Sequence, residues 1–233
     1  MKQIQIGGLT SFTTIDYPGK LAAVLFLTGC PIRCKYCSNP HLQVLRDGEY
    51  DPEKVIEWLA DRRGKLEAVV FSGGEALMQG DATIDFMKRI RDMGFLIGLH
   101  TCGFYPSVFE KSLPFIDWVG LDFKTNKTNY QNLTGVDIAY EQMLKTLDIW
   151  ITSGKPGEVR VTCDPRFIAK DSLLEIAGLL SDRGVKNFGI QKYIPHYENG
   201  QDPTTDASRL QFFNDDKLKE KINAVFETVC WRE

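Results

Sequence analysis

Six short apolar runs punctuate the chain: Leu21–Leu27, Ala68–Phe71, Phe95–Leu99, Trp118–Phe123, Val159–Thr162 and Phe188–Tyr193. Most are continuous stretches of Val, Ile, Leu or Phe, the pattern of strands covered on both faces. Amphipathic stretches between them predict helices. Asp51-Pro52-Glu53 opens the first with a cap residue, proline at the first helical position and an acidic first turn. Val55, Ile56 and Leu59 follow at helical spacing. Further helices are predicted over Ile84–Met93 before Gly94, Tyr140–Thr152 before Gly154, Asp171–Leu180 near Gly184, and Asp215–Val229 at the end.

Strand followed by helix, about six times over, is the order of an α/β fold with a parallel sheet, because parallel neighbours need crossovers. Six units are fewer than a closed eight-fold barrel requires. The expectation is an open or partial parallel (β/α)6 barrel. A doubly wound sheet is the alternative that periodicity leaves open. The chain reads as a single domain over 1–233, with an N-terminal extension over 1–19, a barrel core over 20–200 and a helical segment over 201–233. In either architecture ligands sit at the carboxyl ends of the strands. The residues just after each apolar run are therefore the candidates for chemistry.

Composition narrows the class. The 233 residues are 43% hydrophobic and 25% charged, with a net charge of −3. These are globular values. They give no basic footprint for a nucleic acid, and no run approaches the ~18–20 apolar residues of a membrane span. The start, MKQIQIGGLT, lacks the pattern of a secretion signal, so a cytoplasmic protein with reduced thiols is expected.

That expectation gives the six cysteines meaning. Cys30, Cys34 and Cys37 crowd into one loop after the first run, while Cys102, Cys163 and Cys230 are scattered. A disulfide framework suits small secreted domains and not this composition. A C-x3-C-x2-C loop can wrap three thiolates around one ion or one cluster. Soft sulfur ligands favour iron–sulfur clusters, and a four-iron cluster with three cysteines keeps one iron open. Structural zinc is the competing reading, because His41 could complete a Cys3His set.

The other run ends carry candidates of varied strength. Phe71-Ser72-Gly73-Gly74-Glu75 pairs glycines, which let a backbone approach a ligand, with a carboxylate acceptor; a tight strand-to-helix turn is the plainer reading. Leu99-His100-Thr101-Cys102 offers Thr101 as a contact, His100 as a contact or a core histidine, and Cys102 as packing. Asp122 and Lys124, two apart on a strand, share a face. They form either a surface ion pair or the charged wall of a pocket. Arg160 faces opposite to Val159 and Val161, so it either runs outward or meets an anion inside. The sixth run leads to His196 and Tyr197.

The cysteine motif, with Tyr36 immediately before its last cysteine, resembles the radical S-adenosylmethionine superfamily. Ser11-Phe12-Thr13-Thr14-Ile15-Asp16-Tyr17-Pro18-Gly19-Lys20 and Ser38-Asn39-Pro40 narrow the resemblance to activating enzymes of glycyl radical enzymes, above all those of anaerobic ribonucleoside-triphosphate reductase. The resemblance implies a partial barrel of the radical SAM type. It implies one [4Fe-4S] cluster on Cys30, Cys34 and Cys37, with S-adenosylmethionine on the open iron. It places Tyr36, Gly73, Gly74, Glu75, Thr101, Asp122, Lys124, Arg160 and His196 against that cofactor. Gly73-Gly74-Glu75 would take the methionyl amino group and Lys124 its carboxylate. Related activases often carry an acidic residue where this chain has His100, and in them tyrosine precedes histidine where His196 here precedes Tyr197.

The implied activity is reductive cleavage of S-adenosylmethionine to methionine and a 5′-deoxyadenosyl radical, which takes a hydrogen atom from a glycine of a partner enzyme. The chemistry belongs to cluster and cofactor, so no protein acid or base is expected. No cysteine lies between Gln43 and Thr101, where some activases insert further clusters. One cluster and an external one-electron donor, such as flavodoxin or ferredoxin, are therefore expected. The rivals are a small-molecule radical enzyme, for example one modifying a deazapurine precursor, and a zinc-stabilised binding module.

Overall fold

The structure is a computed structural model that describes residues 3–195 and 204–233. Eight strands form one sheet: β1 (Ile6–Thr13), β2 (Ala22–Leu27), β3 (Ala68–Gly73), β4 (Leu96–Thr101), β5 (Trp118–Asp122), β6 (Gly157–Cys163), β7 (Asn187–Lys192) and β8 (Thr228–Arg232). Their spatial order is their chain order. β1 runs antiparallel to β2, and every later neighbour is parallel. A doubly wound sheet reverses its order at a switch point; here each new strand joins the same growing edge, which sets that alternative aside. β1 and β8 are not paired, so the curled sheet stays open among the described residues.

The helices are α1 (Pro52–Ala60), α2 (Asp81–Asp92), α3 (Pro106–Ser112), α4 (Lys127–Thr134), α5 (Ala139–Ser153), α6 (Lys170–Asp182), α7 (Asp206–Leu210) and α8 (Asp216–Asn223). α1 starts as its sequence dictates: Pro52 occupies the first position and the Asp51 side chain accepts from the Glu53 N–H. Gly154 ends α5 in the left-handed conformation.

The six expected strands are all present, and two more correct the expected architecture. β1 falls within the assumed extension; its Gly7-Gly8 pair breaks the apolar pattern and forms an irregularity in the pairing with β2. β8 replaces the end of the last expected helix. Leu218, Ile222, Val225 and Val229 keep a helical spacing, yet α8 stops at Asn223. Phe226 packs on Phe188, with ring centroids 5.0 Å apart, and the Glu227 and Thr228 N–H groups donate to Lys186 O. The open edge of β7 thus recruits this segment, a tertiary preference that overrides local periodicity.

Strand alternation places the site. One face of every central strand carries Ala23, Leu25, Val69, Phe71, Ile97, Leu99, Val119, Leu121, Val159, Val161, Phe188 and Ile190, packed in one core with helix residues such as Leu59, Met87, Leu147 and Ile176. The other face lines the concave interior. Near the amino ends of the strands it is apolar: Ala22, Val24, Ala68, Val70 and Trp118 surround Tyr17. Toward the carboxyl ends it turns polar, with Ser72, His100, Asp122, Arg160, Thr162 and Gln191. The N-terminal segment therefore plugs the bottom of the sheet, its Tyr17 ring lying 5.7 Å from Trp118. Removing this plug should cost stability. Tyr17→Ala is expected to lower the unfolding free energy by about 3 kcal/mol, the loss typical of a buried aromatic, as read by urea denaturation with the slope unchanged.

Candidate active site

The cysteine loop leaves β2 and is held on both sides. The Gly29 N–H donates to Leu42 O at 2.7 Å and the Cys30 N–H to Gln43 O at 3.0 Å. Across the loop, the Arg33 N–H donates to Thr134 O at 2.7 Å and the Lys35 N–H to Leu133 O at 3.2 Å, so the last turn of α4 is the loop's outer support. The Arg33 guanidinium folds back onto the carbonyls of Cys30 and Ile32. Cys30, Cys34 and Cys37 line a cavity of about 340 Å³ at the carboxyl end of the sheet.

The Gly73-Gly74 pair joins this loop to the sheet. The Gly74 N–H donates to Leu27 O at 2.9 Å and the Glu75 N–H to Gly29 O at 2.8 Å. A β carbon on Gly73 would collide with the Leu27 backbone, and one on Gly74 with the carbonyl oxygens of Gly29 and Leu42. Both glycines line the cavity. Glu75 does not; it stands one layer behind, almost fully buried. Its Oε1 accepts from the Leu77 N–H at 3.0 Å and the Thr101 hydroxyl at 2.6 Å, and its Oε2 from the Cys102 N–H at 2.7 Å. In this structure the carboxylate ties the end of β3 to the end of β4 and aims Thr101 and Cys102 at the cavity.

Opposite the thiols stands a charged wall. Asp122 and Arg160 are register partners of β5 and β6. The carboxylate accepts from Arg160 Nε at 2.9 Å and Nη2 at 2.7 Å, and from Lys124 Nζ at 3.3 Å. All three side chains are largely buried, so the surface ion-pair reading does not hold. Burial alone would raise the Asp122 carboxyl, but Arg160 and Lys124 overcome it and hold it below the ordinary range. Burial would likewise lower Lys124, and Asp122 overrides that and keeps the ammonium charged. Lys192 adds a third cation to the wall, so one carboxylate faces three positive groups among the described residues. Such a wall suits an anionic group on the ligand.

His100 is both a core histidine and a cavity residue. Its Nε2 lies 2.9 Å from Asp16 O and 3.2 Å from Arg160 Nη1, and its ring packs against Trp118. Burial first, then the Arg160 charge, lowers its pKa to about 3, so the ring is neutral. Gly120 makes this contact possible: a β carbon there would press on both the Arg160 guanidinium and the His100 ring.

Ten of the expected site residues therefore share one cavity: Cys30, Cys34, Tyr36, Cys37, Gly73, Gly74, Thr101, Asp122, Lys124 and Arg160. His196 and Tyr197 lie outside the described residues. Cys102, read as packing, also reaches the cavity wall, as do Thr162, Gln191 and Tyr193. Thr162 and Gln191 were findable, because each falls two residues beyond a position on the concave face, Arg160 and Gly189. His41 is exposed and off the cavity, which leaves the Cys3His set without its fourth member. Among the described residues no three His, Cys, Asp or Glu side chains converge on a single ion. Cys30, Cys34 and Cys37 line one cavity, and as soft sulfur donors they would suit an iron–sulfur cluster there.

An open, largely parallel sheet carrying a three-cysteine loop and a cationic wall at its carboxyl edge has the architecture of a cofactor-dependent enzyme. Residues 24–167 match the model of the Radical SAM superfamily, and the chain belongs to that superfamily. The family uses a [4Fe-4S] cluster and S-adenosylmethionine. A Methanocaldococcus jannaschii protein assigned as a glycyl-radical enzyme activating enzyme is 29% identical over 200 residues, covering 82% of this chain and 80% of that protein. The pyruvate formate-lyase-activating enzyme of Clostridium pasteurianum is 27% identical over 206 residues, covering 84% and 83%. Among solved structures, SuiB of Streptococcus suis superposes with a TM-score of 0.69 at 13% identity, over 88% of this chain and 47% of SuiB. The chain thus spans about half the length of SuiB, and at that identity the two share the fold.

The charged wall has a pH signature. With a folded pKa of about 3 against an unfolded value near ~6.5, neutral His100 makes the unfolded state the better proton binder between those values. Stability should fall as pH drops through that window, by up to ~1.4 kcal/mol per pH unit from this residue. Asp122, held below its unfolded value, adds a further loss below ~pH 4. His100→Gln should flatten the limb between pH 6.5 and 4 in urea unfolding, leaving the steeper loss below it.

Proposed function

We propose that this protein is an activating enzyme that generates a glycyl radical on a partner protein. The observation that carries the reading is the meeting of the Cys30-Cys34-Cys37 loop with the Lys124–Asp122–Arg160 wall in one cavity. Cys30, Cys34 and Cys37 would hold the cluster. Lys124 and Arg160 would face the carboxylate of S-adenosylmethionine, the Gly73–Gly74 backbone its amino group, and Tyr36, Thr101 and His196 the rest of the molecule. When bound, cluster and cofactor supply one-electron cleavage of the sulfonium and abstraction of a hydrogen atom from glycine. The chain's own part is to fix the thiolates, neutralise the carboxylate and keep the wall charged but paired. Glu75 positions Thr101 from behind.

The relatives named as activating enzymes support the general reading. The finer proposal makes anaerobic ribonucleoside-triphosphate reductase the partner, on the strength of the Ser11–Lys20 and Ser38-Asn39-Pro40 segments. The names of several relatives make pyruvate formate-lyase the second candidate. The electron would come from a flavodoxin or ferredoxin, and the protein would work in the cytoplasm; no helix among the described residues is long and apolar enough to cross a membrane.

The test presents anaerobically reconstituted protein, reductant and S-adenosylmethionine to each candidate partner and looks for a glycyl radical by electron paramagnetic resonance. A signal on the reductase is expected. Cys34→Ala should abolish it while the far-ultraviolet spectrum stays native, because Cys34 is only partly buried at the edge of the apolar core and its loss removes a single sulfur. Cleavage of the cofactor with no signal on either partner would favour a small-molecule substrate. Colourless protein holding one zinc would end the radical reading.

Lys124→Ala should weaken S-adenosylmethionine binding about ten- to hundredfold, as loss of a charge-assisted contact worth ~1.5–3 kcal/mol requires. Iron content should not change. Calorimetric titration of the reconstituted variant reads this directly, and unchanged affinity would take Lys124 out of the binding site.

A further inference from the structure

The loop after β6 builds a stack that the site described above does not use. Asp164 is fully buried, and its carboxylate accepts from the Arg166 N–H at 3.0 Å, from Arg166 Nε at 2.9 Å and from Arg166 Nη2. Several donors of one residue on one carboxylate fix the plane of the guanidinium. That plane lies over two rings, its central carbon 5.3 Å from the centroid of Phe167 and 5.1 Å from that of Tyr193. Both rings are buried. Phe167 is pinned through its backbone: its carbonyl accepts the hydroxyl of fully buried Thr125 at 2.8 Å, and its N–H donates to Asp164 O at 2.9 Å. Tyr193 follows β7 and lines the cavity. From the cysteine loop the Tyr36 ring meets both, 6.4 Å from Phe167 and edge-on, and 6.4 Å from Tyr193, within the range where aromatic pairs attract. Tyr36 lies inside the turn that the Cys37 N–H closes on Cys34 O at 3.1 Å. A chain of contacts thus runs from the buried Asp164 carboxylate to the turn that carries two of the three thiols.

We propose that Arg166 is a positioning residue: with the Phe167 and Tyr193 rings it holds Tyr36, and so sets the Cys34–Cys37 turn in its ligand-presenting conformation before a cluster is bound. The inference rests on the reading that Cys30, Cys34 and Cys37 hold an iron–sulfur cluster. Among the described residues, the loop's backbone is tied to other segments at Gly29, Cys30, Arg33 and Lys35, and at neither Tyr36 nor Cys37. Side-chain packing is what remains to place that turn, and the Tyr36 ring supplies it. A ligand is held in register only when the residues behind it are themselves locked. Here Asp164 locks Arg166, Thr125 locks Phe167, and the stacked cation joins Phe167 to Tyr193. The ends of β6 and β7 thereby support the same loop whose base is tied to β3.

The test follows amide hydrogen exchange at Lys35 and Cys37 in reduced, metal-free protein, comparing wild type with Phe167→Leu and Arg166→Gln. Phe167→Leu removes a ring and keeps an apolar side chain. Arg166→Gln keeps a donor for Asp164 and removes the stacked cation. In both, exchange at Lys35 and Cys37 should quicken about three- to tenfold, the range that loss of one or two ring contacts gives to local opening. Exchange at Glu75, whose N–H meets Gly29 O at the stem of the same loop, should stay as in wild type; a general loss of stability would move it too. Phe167→Tyr keeps the ring and should restore the wild-type rate. After anaerobic reconstitution, the first two variants should lose iron to a chelator faster than wild type. Unchanged exchange at Lys35 and Cys37 in both variants, or an equal rise at Glu75, would overturn the proposal. Wild-type protein that takes up no iron and sulfide would instead overturn the cluster reading beneath it, a failure that the metal-free exchange keeps separate.

Discussion

The hydrogen bonds from the Gly74 and Glu75 N–H groups to the carbonyls of Leu27 and Gly29 carry the β2–β3 ladder past the ends of both strands and into the base of the cysteine loop. A loop that must present three ligands at set separations needs a stem as rigid as a sheet. The stem is rigid here because two backbones touch where side chains would normally keep them apart, and only glycine permits that at Gly73 and Gly74. Glu75 then extends the same unit to β4 through Thr101 and Cys102. Three strand ends are thus tied together, and the base of the cysteine loop is tied to them.

The second constraint is charge inside the concave face. A buried ion pair seldom adds stability over an apolar replacement, because desolvation offsets the attraction. The structure nevertheless buries Asp122 with Arg160 and Lys124, and joins Glu158 to Arg232 at 2.7 Å across β7. Gly120 and Gly189 supply the room for these long side chains. An interior built only for stability would be filled with Val and Leu, as the lower half is. The upper half gives up that packing for a polar wall with an excess of cations, which has value only toward a ligand.

The two halves depend on each other through the N-terminal segment. Tyr17 fills the apolar floor, and the carbonyl of Asp16 meets His100 just above it. His100 in turn stands beside Arg160, so the plug that completes the core also sets the floor of the site. The segment that marks the resemblance to activating enzymes is thus, in its physical role, part of the barrel.

How much of this was legible depended on the range of the interaction. The continuous apolar runs that became β2 to β7, the Asp51–Pro52 cap and the C-x3-C-x2-C loop are local signals: the first two led to the right elements, and the third to three cysteines that line one cavity. Period-two alternation put Asp122 with Lys124 on one face and Arg160 opposite Val159 and Val161, but left open whether Arg160 faced in or out. What the sequence could not decide was whatever needed a distant partner. β8 forms because the edge of β7 was open, against the helical spacing of its own residues. Glu75 looks like a ligand group in a Gly-Gly-Glu triplet, yet its oxygens meet Thr101 and Cys102, 26 and 27 residues on. The sequence by itself determined an α/β chain with a three-thiolate loop at a strand end, because those are properties of neighbours. Only the tertiary structure decided which polar groups face the cavity and which brace it, because that depends on strands brought together from across the chain.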